Sequence, residues 1–337
     1  MDKKNLQILE ILARNCRVSN TTIAKSLNIS KDAVRYRINN LEKTGFLKQK
    51  LLFVDARRLG FTRYHLLLKF KAGIDKNATE EISKNPFVMW INTFIGRFDM
   101  QIIVDAKNSF ELEKIKQDIF KRCNHKIEEY IILTHLYDLE FTQVNPIINL
   151  GTKFTQKNDF SFSNLSPKKF PVNPDFKKET ISRTDIDILE LLSKNPSMSL
   201  TEISTKLSID RITAKKRVNS LIDKKIILNF GGIPDHIKQG FVTYYLLVRL
   251  KQDTPHEELR KPFEKLQNIF YAGKMNGNYD MILYLNARNP QELNQSIETF
   301  KNDMKNYMHH YDLLVQDKVH YWRQFTQGIY QTLKKDL

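Results

Sequence analysis

Between residues 19 and 45 the apolar positions recur with the period of a helix, interrupted once. Ile23 and Leu27 share one face of a short first segment. Val34, Ile38 and Leu41 fall at i, i+4 and i+7 of the next, so they form its buried stripe. Ser19 and Ser30 stand where each segment begins, with side-chain oxygens suited to capping, and Asn28, Ile29 and Ser30 fill the turn between them. The pattern predicts two helices joined by a tight turn. A preceding helix over 4–15 carries Ile8, Leu9, Ile11 and Leu12 as its apolar stripe and roofs the pair. The second helix of the pair leaves Lys31, Asp32, Arg35, Tyr36, Asn39 and Lys43 to solvent. Guanidinium reads guanine and amide reads adenine, so such a helix suits a major groove.

Beyond Gly45, residues 46–53 alternate in part, with Lys48 and Lys50 on one face, and predict the wing of a winged helix. From Phe61 the period becomes that of strands with two helices between them. Strands are expected at 64–70, 87–94, 100–104 and 127–141, and helices at 77–83 and 110–122. The order is βαββαβ, a split βαβ sandwich with an apolar open sheet face.

The whole pattern then occurs again. Residues 185–251 align with 5–71 without a gap, a spacing of roughly 180 positions, too long for a solenoid unit and typical of a duplicated module. Arg37, Asn39 and Leu41 match Arg217, Asn219 and Leu221, and Gly60-Phe61 matches Gly240-Phe241. Strands are expected at 241–250, 269–274, 281–285 and 311–321, and helices at 256–266 and 290–304. The turn Gly96-Arg97-Phe98-Asp99 recurs as Gly277-Asn278-Tyr279-Asp280, one residue further along, which a longer first helix in the second βαββαβ unit would explain. Gly231-Gly232 lacks the lysine and hydroxyl residue of a phosphate loop and reads as a wing turn.

The fold class is therefore α+β: two winged helix-turn-helix units, 1–55 and 182–235, each followed by a βαββαβ domain, 56–142 and 236–325. Residues 143–181, with Pro146, Pro167, Pro171 and Pro174, form a linker. Phe154, Phe160, Phe162, Phe170 and Phe176 imply that part of it packs on a module. Residues 326–337 read as a tail.

Composition narrows the partner. A formal charge of +16 over 337 residues favours a polyanion, and no run is long and apolar enough to span a bilayer, so double-stranded DNA is expected and a membrane is not. Cys16 and Cys123 have neither zinc spacing nor a disulfide framework and read as free thiols in a cytoplasmic protein. His309 and His310 are adjacent near a strand start, would point to opposite faces, and would not share a metal. No catalytic constellation and no cofactor motif stands out. The reading helix of the second copy carries Arg211, Lys215, Lys216 and Asn219, with Ile212 where the first has Asp32.

Winged helix, hinge strand and βαββαβ domain with a Gly-x-aromatic-Asp turn together resemble the Lrp/AsnC family of feast/famine transcription regulators. The helix-turn-helix likeness rests on Ile23, Leu27, Val34, Arg37, Leu41 and Gly45, with Lys225 in place of the glycine in the second copy. The resemblance implies sequence-specific DNA binding and an amino-acid effector near Gly96, Asp99, Gly277 and Asp280. Arg97 and Asn278 stand where the family's turn has its first acid. It also implies pairing of the βαββαβ sheets, here as an internal pseudo-dimer, and a higher homo-oligomer built on it. The alternatives are an architectural DNA-binding protein without an effector and an enzyme of the siroheme decarboxylase type. Against the latter, Asn92-Thr93-Phe94-Ile95 and Ala272-Gly273-Lys274-Met275 lack the histidine of that family's segment.

Overall fold

The computed structural model describes residues 1–75, 77–124, 126–141, 177–251, 254–255, 257–266 and 268–337. The linker up to residue 176, with its phenylalanines, lies outside the described residues. The chain opens with α1 (Lys3–Arg14), α2 (Asn20–Leu27) and α3 (Lys31–Lys43). Ser19 accepts from the Thr22 amide and Ser30 from the Ala33 amide, so both expected caps are in place. Asn28 makes the turn in the left-handed region at φ 51°, where its short polar side chain is tolerated. Ile8, Leu9, Ile11, Leu12, Ile23, Leu27, Val34 and Leu41 are buried together as one small core.

The second trio, α6 (Arg183–Lys194), α7 (Leu200–Leu207) and α8 (Arg211–Asp223), repeats this arrangement. Arg37 and Arg217, matched between the copies, are not readers. Arg37 ties α3 to Asp2 at 2.6 Å and to Asn5 at 2.7 Å, and Arg217 ties α8 to Ser182 at 2.8 Å and Asp185 at 3.2 Å. After α3 the chain turns at Gly45 (φ 73°); after α8 Lys225 takes the same left-handed conformation at φ 55°. A side chain there is strained by about 1–2 kcal/mol, partly offset by the greater freedom glycine loses on folding. Lys225→Gly is therefore expected to raise the thermal midpoint modestly, and Gly45→Lys to lower it. A melting curve of each variant measures both.

The strand after each trio departs from the expected wing. β1 (Leu47–Val54) forms no hairpin of its own and pairs antiparallel with β6 (Ile227–Pro234), the matching strand of the other copy. The physical reason is burial. Leu51, Leu52, Phe53 and Val54 are all buried and need a covering strand, and the other copy supplies it. Gly231 and Gly232 are ladder residues opposite Leu51 and Lys50, not a turn. Gly232 is required by crowding: a Cβ there would lie 2.9 Å from Leu47 and 3.1 Å from the Leu12 carbonyl.

A 3-10 turn, Ala56–Leu59, leads to the first βαββαβ unit: β2 (Thr62–Phe70), α4 (Ala78–Ser83), β3 (Val88–Ile95), β4 (Met100–Ala106), α5 (Ser109–Arg122) and β5 (Ile127–Phe141). The second comprises β7 (Val242–Leu250), α9 (Lys261–Lys265), β8 (Ile269–Asn276), β9 (Met281–Ala287), α10 (Pro290–Met304) and β10 (Met308–Trp322). α9 has 5 residues against 6 in α4, so a longer helix does not explain the shifted turn; the added length lies between β7 and α9.

The two sheets close into one eight-stranded barrel, β10-β3-β4-β2-β5-β8-β9-β7. β5 and β10, 15 residues each, make the closure. The first half of β5 pairs with β2 and the second with β8, from Thr134↔Asn276 to Phe141↔Tyr271. β10 likewise leaves β7 at Val315 and continues along β3 to Trp322↔Trp90. Closure leaves neither sheet a free edge, and a barrel of eight strands is just wide enough to be filled by side chains. Leu67, Phe94, Phe98, Tyr245, Leu247, Tyr279, Tyr284 and Leu314 are among those that fill it.

The interior also holds a polar cluster contributed mostly by the first copy. Arg63 lies on Asp105 through two bonds of 3.0 and 3.2 Å. His65 Nδ1 is 3.0 Å from Gln101, and its ring stacks 6.1 Å from that of His135, which meets Asp138 at 3.1 Å. In the second copy the positions of Arg63 and Asp105 are taken by Thr243 and Asn286, joined at 2.8 Å.

The C-terminal residues are not a bare tail. α11 (Gln327–Asp336), capped by Thr326, buries Ile329 and Leu333 in the core of the second trio. Tyr330 donates to Asp187 of α6 at 3.1 Å, Lys334 pairs with it at 2.7 Å, and Lys107 of the first βαββαβ unit pairs with Asp336. This helix fastens the second trio to the barrel.

Candidate nucleic-acid interface

Capping and the buried stripe fix how α3 rolls on its core, and hence what it offers to solvent. Lys31, Asp32, Arg35, Tyr36 and Asn39 are all exposed. Tyr36 is 74% exposed, unusual for a large aromatic without a partner surface. Arg35 approaches Asp32 only at 3.9 Å, with both side chains largely in water, so its guanidinium is available to a ligand. On α8, Arg211, Lys215 and Lys216 are exposed and Asn219 is half-buried. Ile212 is 69% exposed, an apolar tip where α3 has an acid.

The two lysines expected on a wing part company. A register shift between Leu47 and Gln49 ends the alternation that would put Lys48 and Lys50 on one face. Lys50 pairs with Glu42 of α3 at 2.8 Å, while Lys48 lies close enough to His236 and His320 to disfavour their protonation. Lys48 thus belongs to the barrel side of the hinge.

The trios abut one another. Cys16 donates its amide to the Phe230 carbonyl at 2.7 Å, and Arg17 donates to the Pro196 carbonyl at 2.8 Å while lying 4.8 Å over the Phe230 ring. Burial pushes the Cys16 thiol up to about 11, so it is an inert structural thiol. Burial also pulls the Arg17 guanidinium below its ordinary value. Between the trios lies a cleft of about 530 Å³ lined by Leu12, Arg17, Asn20, Ile38, Asn39, Glu42, Lys50, Ser199, Thr201 and Arg211, among others. It brings Asn39 of α3 and Arg211 of α8 to one rim. Sequence reading passed over Arg17; the one signal was the difference from Ser197, its counterpart in the second copy.

At the turns expected to lie near an effector, both aspartates bond the backbone. Asp99 accepts the Phe70 amide at 2.8 Å and meets Lys69 at 3.3 Å; Asp280 accepts the Leu250 amide at 2.9 Å and meets Lys274 at 3.3 Å. Gly96 and Gly277 (φ 147° and 142°) lie on the two barrel seams, where a Cβ would come 3.1 Å from the Leu313 carbonyl and 2.9 Å from that of Ile132. Phe98 and Tyr279 are buried in the barrel. Arg97 bridges the modules to Tyr279 at 2.9 Å and Asp312 at 3.2 Å, and meets Glu129 of its own unit at 3.3 Å.

Among the described residues no group of three or more acidic, histidine or cysteine side chains is placed to hold a metal. His309 and His310 do meet, Nδ1 to Nδ1 at 2.9 Å, because a register shift between Met308 and His310 undoes the alternation expected there. No described helix is long and apolar enough to cross a membrane.

Known proteins place this geometry. The winged helix-turn-helix DNA-binding family matches residues 1–48 and 181–227, the two helical trios with the start of each hinge strand. The regulator LysM of Sulfurisphaera tokodaii is 25% identical over 122 residues, 36% of this chain and 86% of its own. The HTH-type transcriptional regulator PF0054 of Pyrococcus furiosus is 32% identical over 128 residues, 37% of this chain and 82% of its own. The chain belongs to the Lrp/AsnC family of transcription regulators. It is a DNA-binding regulator of that type. This Lrp/AsnC chain also shares its whole tandem fold with the siroheme decarboxylase NirDL, at a TM-score of 0.54 and 12% identity, over 99% of this chain and 98% of that one.

Proposed function

We propose that this regulator reads an asymmetric operator, with α3 and α8 presented by one internally paired chain. The observation that carries the reading is the difference between two recognition helices held in a single body. α3 offers Lys31, Asp32, Arg35, Tyr36 and Asn39; α8 offers Arg211, Ile212, Lys215 and Lys216. A symmetric dimer of single modules would favour a palindrome. Here the β1–β6 ribbon and both barrel seams join unlike copies within the chain. Selection of bound duplexes from a random pool is expected to return two unlike half-sites about one helical turn apart, or a multiple of it. A clean palindrome would mean that like copies pair between chains.

Affinity is expected to fall steeply with salt, since each neutralised phosphate adds about 0.9 to the logarithmic slope. Arg35→Ala should weaken the preferred site by about 1–3 kcal/mol and relax the preference at one base pair. Uniform loss over all sequences would instead support the architectural reading, in which α3 touches only phosphate. Titration of matched and scrambled duplexes at two salt concentrations separates the two.

An amino-acid effector at the Gly96 and Gly277 turns gains little support, because both aspartates already serve backbone amides and lysines. The non-enzymatic reading rests on the regulator relatives and the basic recognition helices. A tetrapyrrole site is the second reading, because NirDL shares the fold and one of its structures is a co-complex with an iron-uroporphyrin III analogue. The residues here do not fit one. Asn92 bonds Tyr245 at 2.8 Å, Phe94 packs on the same ring at 4.7 Å, and Gly273 is crowded by Tyr271 and Met275. Incubation with iron-uroporphyrin is expected to leave its absorption spectrum unchanged. A DNA-bound role supports a cytoplasmic location.

A further inference from the structure

We infer that the cleft between the two helical trios is a phosphate-binding site, filled by the backbone of the DNA segment that runs between the half-sites. The inference rests on the DNA-reading roles of α3 and α8 and adds a contact that neither helix makes by reading bases. Three cations line the cleft, Arg17, Lys50 and Arg211, against one carboxylate, Glu42. Lys50 and Glu42 offset each other at 2.8 Å. Arg211 has no hydrogen-bond or ion-pair partner among the described residues; Arg17 donates only to a carbonyl and lies over a ring, with the Glu202 carboxylate acting on it from a distance and no carboxylate bonded to it. Two guanidiniums facing one cleft with no carboxylate bonded to either leave a place for an anion, and the two non-bridging oxygens of a phosphodiester accept in the bidentate way that the planar guanidinium matches best. Burial of Arg17 strengthens the attraction, because a partly desolvated cation interacts with an anion at a lower effective dielectric.

The position selects DNA over a free anion. Asn39 and Arg211, on the rim, project from the exposed faces of different recognition helices. A duplex that touches both passes over the mouth of the cleft. Ser199, Thr201 and Asn20 beside it supply neutral donors of the kind that position phosphates. The cleft is unequal in its two halves, with Arg17 on one side where the other has Ser197, so the contact also sets which way the duplex lies.

The test uses the full chain and duplexes in which phosphates between the half-sites are replaced, one at a time, by uncharged methylphosphonates. One or two of these replacements are expected to weaken binding several-fold and to lower the salt slope by about 0.9 each, the share of a single phosphate contact. Arg17→Gln should lower the slope of the unmodified duplex by a similar amount and lose its sensitivity to the same replacement, while Arg17→Lys retains part of both. Thermal melting of each variant separates loss of contact from loss of fold, and Arg211→Gln gives the same readout from an exposed residue. If the replacements change nothing while Arg35→Ala still weakens binding, the cleft holds no backbone and the inference fails with DNA reading intact. Protection of the cleft by millimolar inorganic phosphate, with no effect of the replacements, would assign it to a free anion and equally overturn the proposal. Loss of all salt-dependent duplex binding would instead strike at the function proposed for α3 and α8.

Discussion

Asp105→Ala is expected to destabilise the protein by about 3–5 kcal/mol, the range for leaving one member of a buried ion pair alone. Asp105 is fully buried in the barrel, and its two bonds to Arg63 are the anchor of that guanidinium. Burial by itself pulls Arg63 down; the attraction and hydrogen bonds of Asp105 hold it charged. Without the carboxylate, a guanidinium that remains ionised under all ordinary conditions would be enclosed with only distant compensation. The second copy supplies the control. At the matching positions Thr243 and Asn286 make a single neutral bond of 2.8 Å, and the strands around them pair in the same register. Arg63→Thr combined with Asp105→Asn should therefore regain most of what either substitution loses alone. Chemical denaturation of the two single variants and the double one yields the coupling between the sites. Additive losses would show that Arg63 finds other partners in the barrel and that the pair is not a unit.

Much of the helical half was legible because its signals are local. Ser19 and Ser30 cap the helices they were expected to start, and the stripe of Val34, Ile38 and Leu41 is buried. β5 was legible to its last residue because its fifteen residues are rich in Ile, Leu, Tyr, Thr and Phe and hold no Gly or Pro. The failures share a cause: each depended on what a segment meets in space. β1 has an incomplete alternation compatible with a wing, and only the packing of two copies decides that its partner is β6. Lys48 and Lys50 then diverge at a register shift that no spacing reveals. Residues 326–337 read as a tail; they contain Ile329 and Leu333 one turn apart, and what makes them a helix is the core of the second trio that receives both. The barrel interior was invisible for a related reason. His65, Gln101 and His135 lie on three strands of one sheet, β2, β4 and β5, and their adjacency comes from pairing between segments distant in sequence. A comparison of the copies held the available clue, since Arg63 and Asp105 change together to Thr243 and Asn286.

Acidification should begin to destabilise this protein near pH 6.5, before most of its carboxylates titrate. His65 and His135 are buried in the barrel and His236 is enclosed at the hinge; burial is the leading reason that each ring is held below the ordinary histidine value of 6.5. For His236 the value falls to about 4. His65 faces the rings and charges of His135, Arg63 and Asp138. His135 faces Asp138, Arg57 and Arg63, and His236 lies between Asp235 and Lys48. Only the aspartates favour a proton on these rings, and in each case burial outweighs them. A folded state that binds protons more weakly than the unfolded chain loses stability as pH falls, from the unfolded value near 6.5 down through the folded one. The stabilisation is thus fully present at pH 7.5 and declines as the pH falls below about 6.5, for His236 down through its folded value of about 4. The carboxylates act in the same direction but later: Asp138 is held below its ordinary 3.8 mainly by His135 and the nearby arginines, against the pull of burial, so its share is lost only under stronger acid. Denaturant midpoints at pH 7.5, 6.0 and 5.0 are expected to fall at each step. His236→Gln should flatten the profile between pH 6.5 and 4. A midpoint constant across that window would show that the rings reach water in the folded protein and that the barrel and hinge are looser than their packing indicates.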